Sequence, residues 1–591
     1  LDVQARSQGM AGAVAVAGAV AKSKSAQQEQ EEEQRRRNNP SFIDKLKTKA
    51  DGKVTALEDL ADNALGEKAE ALADMFDDAH ATLETSGGGN KQQMAKPSYG
   101  LAVSGSGTVN LVNQSTVASV EGALVTARNN KVGLDVAALN DTLLMGISGA
   151  GALTMANADN SSGSAAVAGA VAFADIGNVT TAQVIDSQVD KAGEVSVLAQ
   201  SDSEQINVGL GLAVNASGDQ TTANSAAGSV TIGRAGNKTA AKLVNSRIDG
   251  TGSDVSVLAA NQNRIANGAG GLAGGGKNSV GMTVTWADVA DTTEAVIDAG
   301  TVQGVGQVSL QALDASRIIA AAVAGGVSTQ NNGAAGGATV VINQVGNQTT
   351  ARIGGGSQIN ADDGIAVYAG SGRLTQGGDC ASAAGVDYCG NDIQLSADAN
   401  ADRTSGDVND TQVQELQRGA GSSSIIAVAG ALGVGGKAGG LAFAYNQIGN
   451  NHSVDVGNAR LDVGNGAITL EAADDAQIMA LAAGLAGSTG DFAGAGSGSY
   501  NQIDNTTAVR VGGGSTVLQA DTVSLQARDE SFIGSLAGSI SASSGSAGGA
   551  ALTVNRVTNT TVAAVDQAMV DATGSVSLQA HNNAGILSGA V

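Results

Sequence analysis

A chain of 591 residues is too long for one ordinary core, and a net charge of −24 with a pI near 4.4 argues against a nucleic-acid partner, which needs clustered Lys and Arg. Glycine is abundant at 84 residues, proline falls to 2 and aromatics to 2%, so the interior has to be filled by Val, Ile, Leu and Ala in narrow, flat layers. No stretch of 18 apolar residues runs free of polar interruption, which excludes a transmembrane helix at the level of sequence.

The chain opens on a strand motif, LDVQA from Leu1, that keeps returning. It starts again at Leu134, Val195, Val255, Val308, Ile365, Ile468, Val523 and Val576, usually as VSLQA or close to it. A second anchor keeps the same beat, a turn of the type Asn-x-Thr-x-Ala. It begins at Asn113, Asn178, Asn237, Asp291, Asn347, Asn450, Asn505 and Asn559. The interval is about 55 residues, and only the 103 residues from Asn347 to Asn450 break it. A fixed period predicts an all-β fold of stacked units, a parallel β-helix with a 55-residue super-repeat. Alternation at Ile206, Val208, Leu210, Leu212 and Val214, and again at Val280, Met282, Val284 and Trp286, is the period of a strand with one buried face. Four short strands per unit suggest two rungs of roughly 27 residues, some 16 rungs and a rod of about 80 Å. Stacked hairpins with the Gly-rich turn at the tip are the other reading, and the sequence leaves both open. The eight corner residues are expected to form a row, because Asn tolerates left-handed backbone and stacked amides can bond along a ladder. Asp291 is then the weakest rung.

Two inserts divide the repeats. Residues 1–23 start the solenoid, and 24–98 hold both prolines, the charge run from Glu29 to Arg37 and the one helical pattern. Ser41 after Pro40, with Asp44 three residues on, reads as a helix N-cap, and Gly87 to Asn90 ends the segment. Repeats resume over 99–370. Residues 371–423 form an acidic loop with the chain's two cysteines, Cys380 and Cys389, read as a small disulfide-closed loop that implies an oxidising compartment. Repeats fill 424–591.

Chemistry has little to work with. His80, His452 and His581 lie in different contexts, and no Ser/His/Asp or His/Cys spacing emerges, so neither an enzyme nor a cofactor nor a metal site is expected. Gly268 to Lys277 lacks the ending of a phosphate loop and recurs as a turn. The Asn-x-Ser/Thr triplets at Asn113, Asn178, Asn237, Asn347, Asn505 and Asn559 are formal glycosylation acceptors whose period is explained by the turn itself.

The order of VSLQA-type strand, small-residue strand, Asn-x-Thr turn and Gly-ended linker resembles the repeat region of giant bacterial filamentous adhesins and haemagglutinin-like exoproteins, exported by two-partner or autotransporter routes. The clearest copies are Asn343/Asn347/Thr349, Asn501/Asn505/Thr507 and Asn555/Asn559/Thr561. The helical insert departs from that pattern. The resemblance implies an extracellular, cell-surface protein of a Gram-negative cell. It would be a shaft segment presenting its inserts to protein or carbohydrate on another cell or in a matrix, with self-association, no membrane insertion and an outer-membrane export partner outside this stretch. The shaft of a contact-dependent toxin-delivery exoprotein is the alternative, and a polysaccharide-active β-helix enzyme stands behind both.

Overall fold

The structure, a computed structural model, describes residues 1–22, 99–126, 131–155, 163–216, 223–371, 381–383, 386–388 and 423–591. The predicted helix within 24–98, with His80, and the cysteines Cys380 and Cys389 lie outside the described residues.

The chain is a parallel β-solenoid. One coil runs out along Val255–Gly274, turns, comes back along Asn278–Val289, and passes a corner into the short strand Thr292–Asp298 before the next outbound strand, Thr301–Val327. Each segment pairs in parallel with its counterpart one coil away, Val255 with Val308, Asn278 with Ala334 and Thr292 with Gln348. Among the described residues the one antiparallel pair is the small hairpin Ala381–Ala383 with Val386–Tyr388, so the stacked-hairpin reading falls away.

The predicted 27-residue rung is also wrong. Paired residues are a full repeat apart, so each super-repeat makes one wide coil. Nine layers of outbound strand stack among the described residues, from Asp2–Lys22 to Met569–Ala590. At about 4.8 Å per layer they span roughly 38 Å, half the length expected. The strands are longer than the sequence suggests because they continue through Gly and Ala positions that look like turns.

Each coil has a thick head and a thin blade. In the head, the start of the outbound strand and the corner strand enclose Val302, Val308, Leu310, Ala295, Ile297 and their equivalents. The VSLQA motif supplies this core, with Val523, Leu525 and Ala527 all buried. Burying an aliphatic side chain contributes about 1.5–3 kcal/mol, and the ladder repeats that contribution in every layer.

Toward the tip of the blade the outbound and return sheets face each other so closely that only small residues fit between, whereas next to the head Ile265, Ile318, Ile425 and Ile478 are still buried. A Cβ on Gly211 would stand 2.3 Å from the carbonyl oxygen of Gly228, and one on Gly433 would stand 2.3 Å from that of Gly439. Ala102, Ala150, Ala166, Ala213 and Ala227 fill what remains in the early layers. The large residues therefore point the other way. Leu210 and Leu212 are 55% and 51% exposed, while the alternating Gly211 and Ala213 are buried. Val280, Met282 and Trp286 likewise face out. The alternation marks strands, as expected, but the buried set is the small one.

The insert boundaries fall at defined places. Lys22 pairs with Met155 and Tyr99 with Gly163, so the first insert leaves and rejoins at the blade tip. The second leaves after Ser371, level with Asp314, and rejoins at Ser424, level with Arg317. Asn347 and Asn450, 103 residues apart, are therefore adjacent layers.

Candidate functional site

A wall of buried polar groups separates head from blade. One side of it is the corner row. The strand register places Asn178, Asn237, Asp291, Asn347, Asn450, Asn505 and Asn559 in one column. The first slot belongs to Gln114 and not to Asn113, because Ser115 pairs with Val179. Each corner backbone N–H donates to the side-chain oxygen of the next layer. Gln114 donates to Asn178 Oδ1 at 3.0 Å, Asn178 to Asn237 Oδ1 at 3.0 Å, and Asn237 to Asp291 Oδ1 at 2.7 Å. The series continues to Asn505, which donates to Asn559 Oδ1 at 3.1 Å. The corner ladder therefore joins backbone to side chain. The amide-to-amide ladder expected there runs four residues earlier, where Asn343, Asn446 and Asn501 each donate Nδ2 to the next Oδ1 at 2.8 Å.

The other side of the wall is the outbound strand, six residues after each VSLQA-type start, where Asn140, Ser201, Asn261, Asp314, Asp474 and Asp529 point inward. Corner amides reach across to this column and its neighbours. Asn178 Nδ2 donates to Asn140 Oδ1 at 3.0 Å, Asn237 to Ser203 at 3.1 Å and Asn450 to Asp474 at 3.1 Å, and Asn559 also reaches Asp529. Asp291 accepts where its neighbours donate, taking Asn263 Nδ2 at 2.9 Å. The asparagine therefore has two jobs, an acceptor for the preceding layer and a donor into the core. The buried corner asparagines are sealed from any glycosylating enzyme in the folded chain.

Two charged clusters sit in this wall. His452 replaces threonine in the column of Thr349 and Thr507, and its Nε2 lies 2.7 Å from Asp474 Oδ1. Burial opposes both charges, yet the pairing prevails: the His452 pKa is raised by Asp474, and the Asp474 pKa is lowered by His452 and its hydrogen bonds. With His452 1% and Asp474 0% exposed, the pair cannot touch a substrate. The second cluster is Asp291 and Asp314, linked through Ser316. Burial first, then the Asp291 charge, push Asp314 up to about 7, and burial raises Asp291 as well.

A raised carboxyl pKa destabilises the fold as pH rises from the unfolded value near 3.9 to the folded one. Asp314→Asn is expected to remove a slope worth on the order of a few kcal/mol between about pH 4 and 7. Thermal melts at several pH values check it, and parallel profiles for variant and parent would show that Asp314 does not titrate on unfolding.

The left-handed backbone sits elsewhere than predicted. The corner asparagines are not in that region. A column of it lies in the turn eight residues later, where Gly122, Asp186, Asn245, Ala299, Gly355, Asn458, Gly513 and Gln567 all have φ between 45° and 93°. Sequence inspection missed this column because its residue identity varies, although its distance from the corner does not. Ala299 at φ 52° lacks the usual relief of glycine, and Ala299→Gly is expected to stabilise the chain by about 1 kcal/mol in a denaturant titration.

His581 lies on the last outbound strand, level with Arg528 and apart from the wall. Among the described residues no group of three His, Cys, Asp or Glu side chains forms a candidate metal site, and no helix is long and apolar enough to cross a membrane. No family model, curated protein or solved structure matches this chain.

Proposed function

We propose that this chain is an extracellular structural and adhesive protein, a shaft segment of a large filamentous adhesin that makes contact with protein or carbohydrate on another cell or in a matrix. The single observation that carries this reading is the outward face of the blade, where large apolar residues recur through the stack on a scaffold whose corner asparagines hold the layers in register. Soluble monomers seldom expose a contiguous apolar patch beyond a few hundred Å², and larger ones mark contact surfaces. The sequence resemblance to adhesin repeats agrees with this and supplies the extracellular setting.

The test is retention of cells. Beads coated with the full chain are expected to hold several-fold more Gram-negative cells, epithelial cells or matrix protein than beads coated with an inert protein at equal density. Equal retention on all three would end the adhesive reading.

A further inference from the structure

The return strands show a regular relief on their outward face, described by columns running down the stack. In one column the first four layers carry Val103, Val167, Ala226 and Val280. Its last four carry only glycine, Gly336, Gly439, Gly494 and Gly548. The next column is glycine in its first three layers, ending at Gly228, then rises at Met282 in the fourth and Leu441 in the sixth. A third column begins at Gly107 and ends at Leu552. No side chain lies within 4 Å of where a Cβ would stand on Gly107, Gly228, Gly336 or Gly548, so these are open notches.

We propose that this face pairs with the same face of a second copy of the chain, antiparallel, about a two-fold axis that lies along the strands between the fourth and fifth layers. That operation sets the first layer of one copy on the eighth of the other, the second on the seventh, and so on. Val103 then enters the notch at Gly548, Val280 that at Gly336, Leu441 that at Gly228, and Leu552 that at Gly107, while Met282 meets Ala338; mid-stack in the third column Val230 meets Phe443 and Val284 meets Val340, so the fit is closest along the first column. A parallel arrangement turns about an axis down the stack, so the column on that axis meets itself layer by layer, Val103 on Val103 and Gly336 on Gly336 if it is the first, leaving clashes beside voids. Isologous two-fold contacts demand this kind of self-complementary surface, and close packing is what rewards it.

Area and charge agree. Eight layers by nine residues cover roughly 900 Å², against about 800 Å² per partner in a standard stable interface. Within that patch Lys437 is the single charged side chain, on a chain of net charge −24, so the repulsive surface is kept to the flanks. The same patch carries the sole tryptophan, Trp286, level with the stacked rings of Tyr445 and Tyr500, whose centroids are 5.4 Å apart. The pairing is independent of whether the chain also grips a foreign surface, so cell retention and self-association can fail separately.

Sedimentation of the full chain from about 1 to 100 µM, with Trp286 emission read in parallel, tests the proposal. A dimer and a blue shift with concentration are expected. Gly336→Val fills a notch without a fold clash, since its Cβ would meet nothing nearer than the Gly439 oxygen at 3.8 Å. It is expected to weaken pairing about tenfold or more. Adding Val280→Gly to it exchanges knob and notch and restores pairing. Gly268→Val, on the opposite face of the blade, leaves pairing unchanged, and circular dichroism checks that each variant is folded. A monomer at every concentration, a double variant no better than Gly336→Val, or partition of the parent into neutral lipid vesicles in place of dimerisation would each overturn it.

Discussion

Gly281→Ala is expected to destabilise the blade by at least about 3 kcal/mol, although it adds one methyl group. That methyl would stand 2.4 Å from the carbonyl oxygens of both Gly271 and Gly325, which belong to the facing sheet. Backbone cannot rotate away as a side chain can, so the two sheets must separate and the adjoining layers with them. Gly268→Ala is the matched control. Its Cβ points outward, meets Val208 Cγ2 only at 3.9 Å, and is expected to shift stability by no more than about 0.5 kcal/mol. Trp286 lies in the same strand as Gly281, so its emission reports the relevant region directly during a urea titration. Long repeat arrays need not unfold in one step, and a local probe is the right one. Equal midpoints for the two variants would refute the close-approach account of the blade.

Asp474→Ala is the second large effect, a loss of about 3–5 kcal/mol at neutral pH. The carboxylate takes hydrogen bonds from Ser371, Asn450 and Asn505 as well as His452, and alanine leaves all four facing a void. The pH dependence identifies the mechanism. His452 has a raised pKa in the fold, so its contribution is complete below the unfolded value near 6.5 and disappears as pH climbs through the folded value. Asp474 has a lowered pKa, so its contribution is present above about 3.9 and disappears as pH falls through the folded value. The stability difference between parent and Asp474→Ala should therefore form a plateau bounded by those two limits, measurable by melts from acid to alkaline pH. A difference that ignores pH would mean that lost packing, and not the ion pair, is what the substitution removes.

The period was legible because it is written in residue identity: the Asn turn and the VSLQA strand recur where the head core and the corner need them. The number of residues per coil was not, since a strand through Gly271 or Gly484 looks like a turn until its neighbour is seen to pass within contact distance. Nor was the direction of the blade faces. Alternation tells that Leu210 and Gly211 point opposite ways, and burial usually goes to leucine. Here the gap between the sheets is too narrow, and steric exclusion overrides hydrophobicity. Asn113 fits the corner motif by letter, whereas the register counted from the paired strands Ser115–Glu121 and Val179–Ile185 puts Gln114 in the slot. The acidic residues of the wall could have been found by counting six places from each VSLQA start, where Asp314, Asp474 and Asp529 end the apolar inward run of the motif.

The corner hydrogen bonds all run one way, from the main chain of one coil to the side chain of its successor. Growth is therefore unequal at its two extremities. Cutting on the C-terminal side of a corner strands a main-chain proton donor, while cutting on the N-terminal side merely idles an amide oxygen that water can serve. A newly made turn is provisional until the following one arrives to fasten it. Winding from the C-terminal end would instead seat each main-chain donor as its coil is laid down.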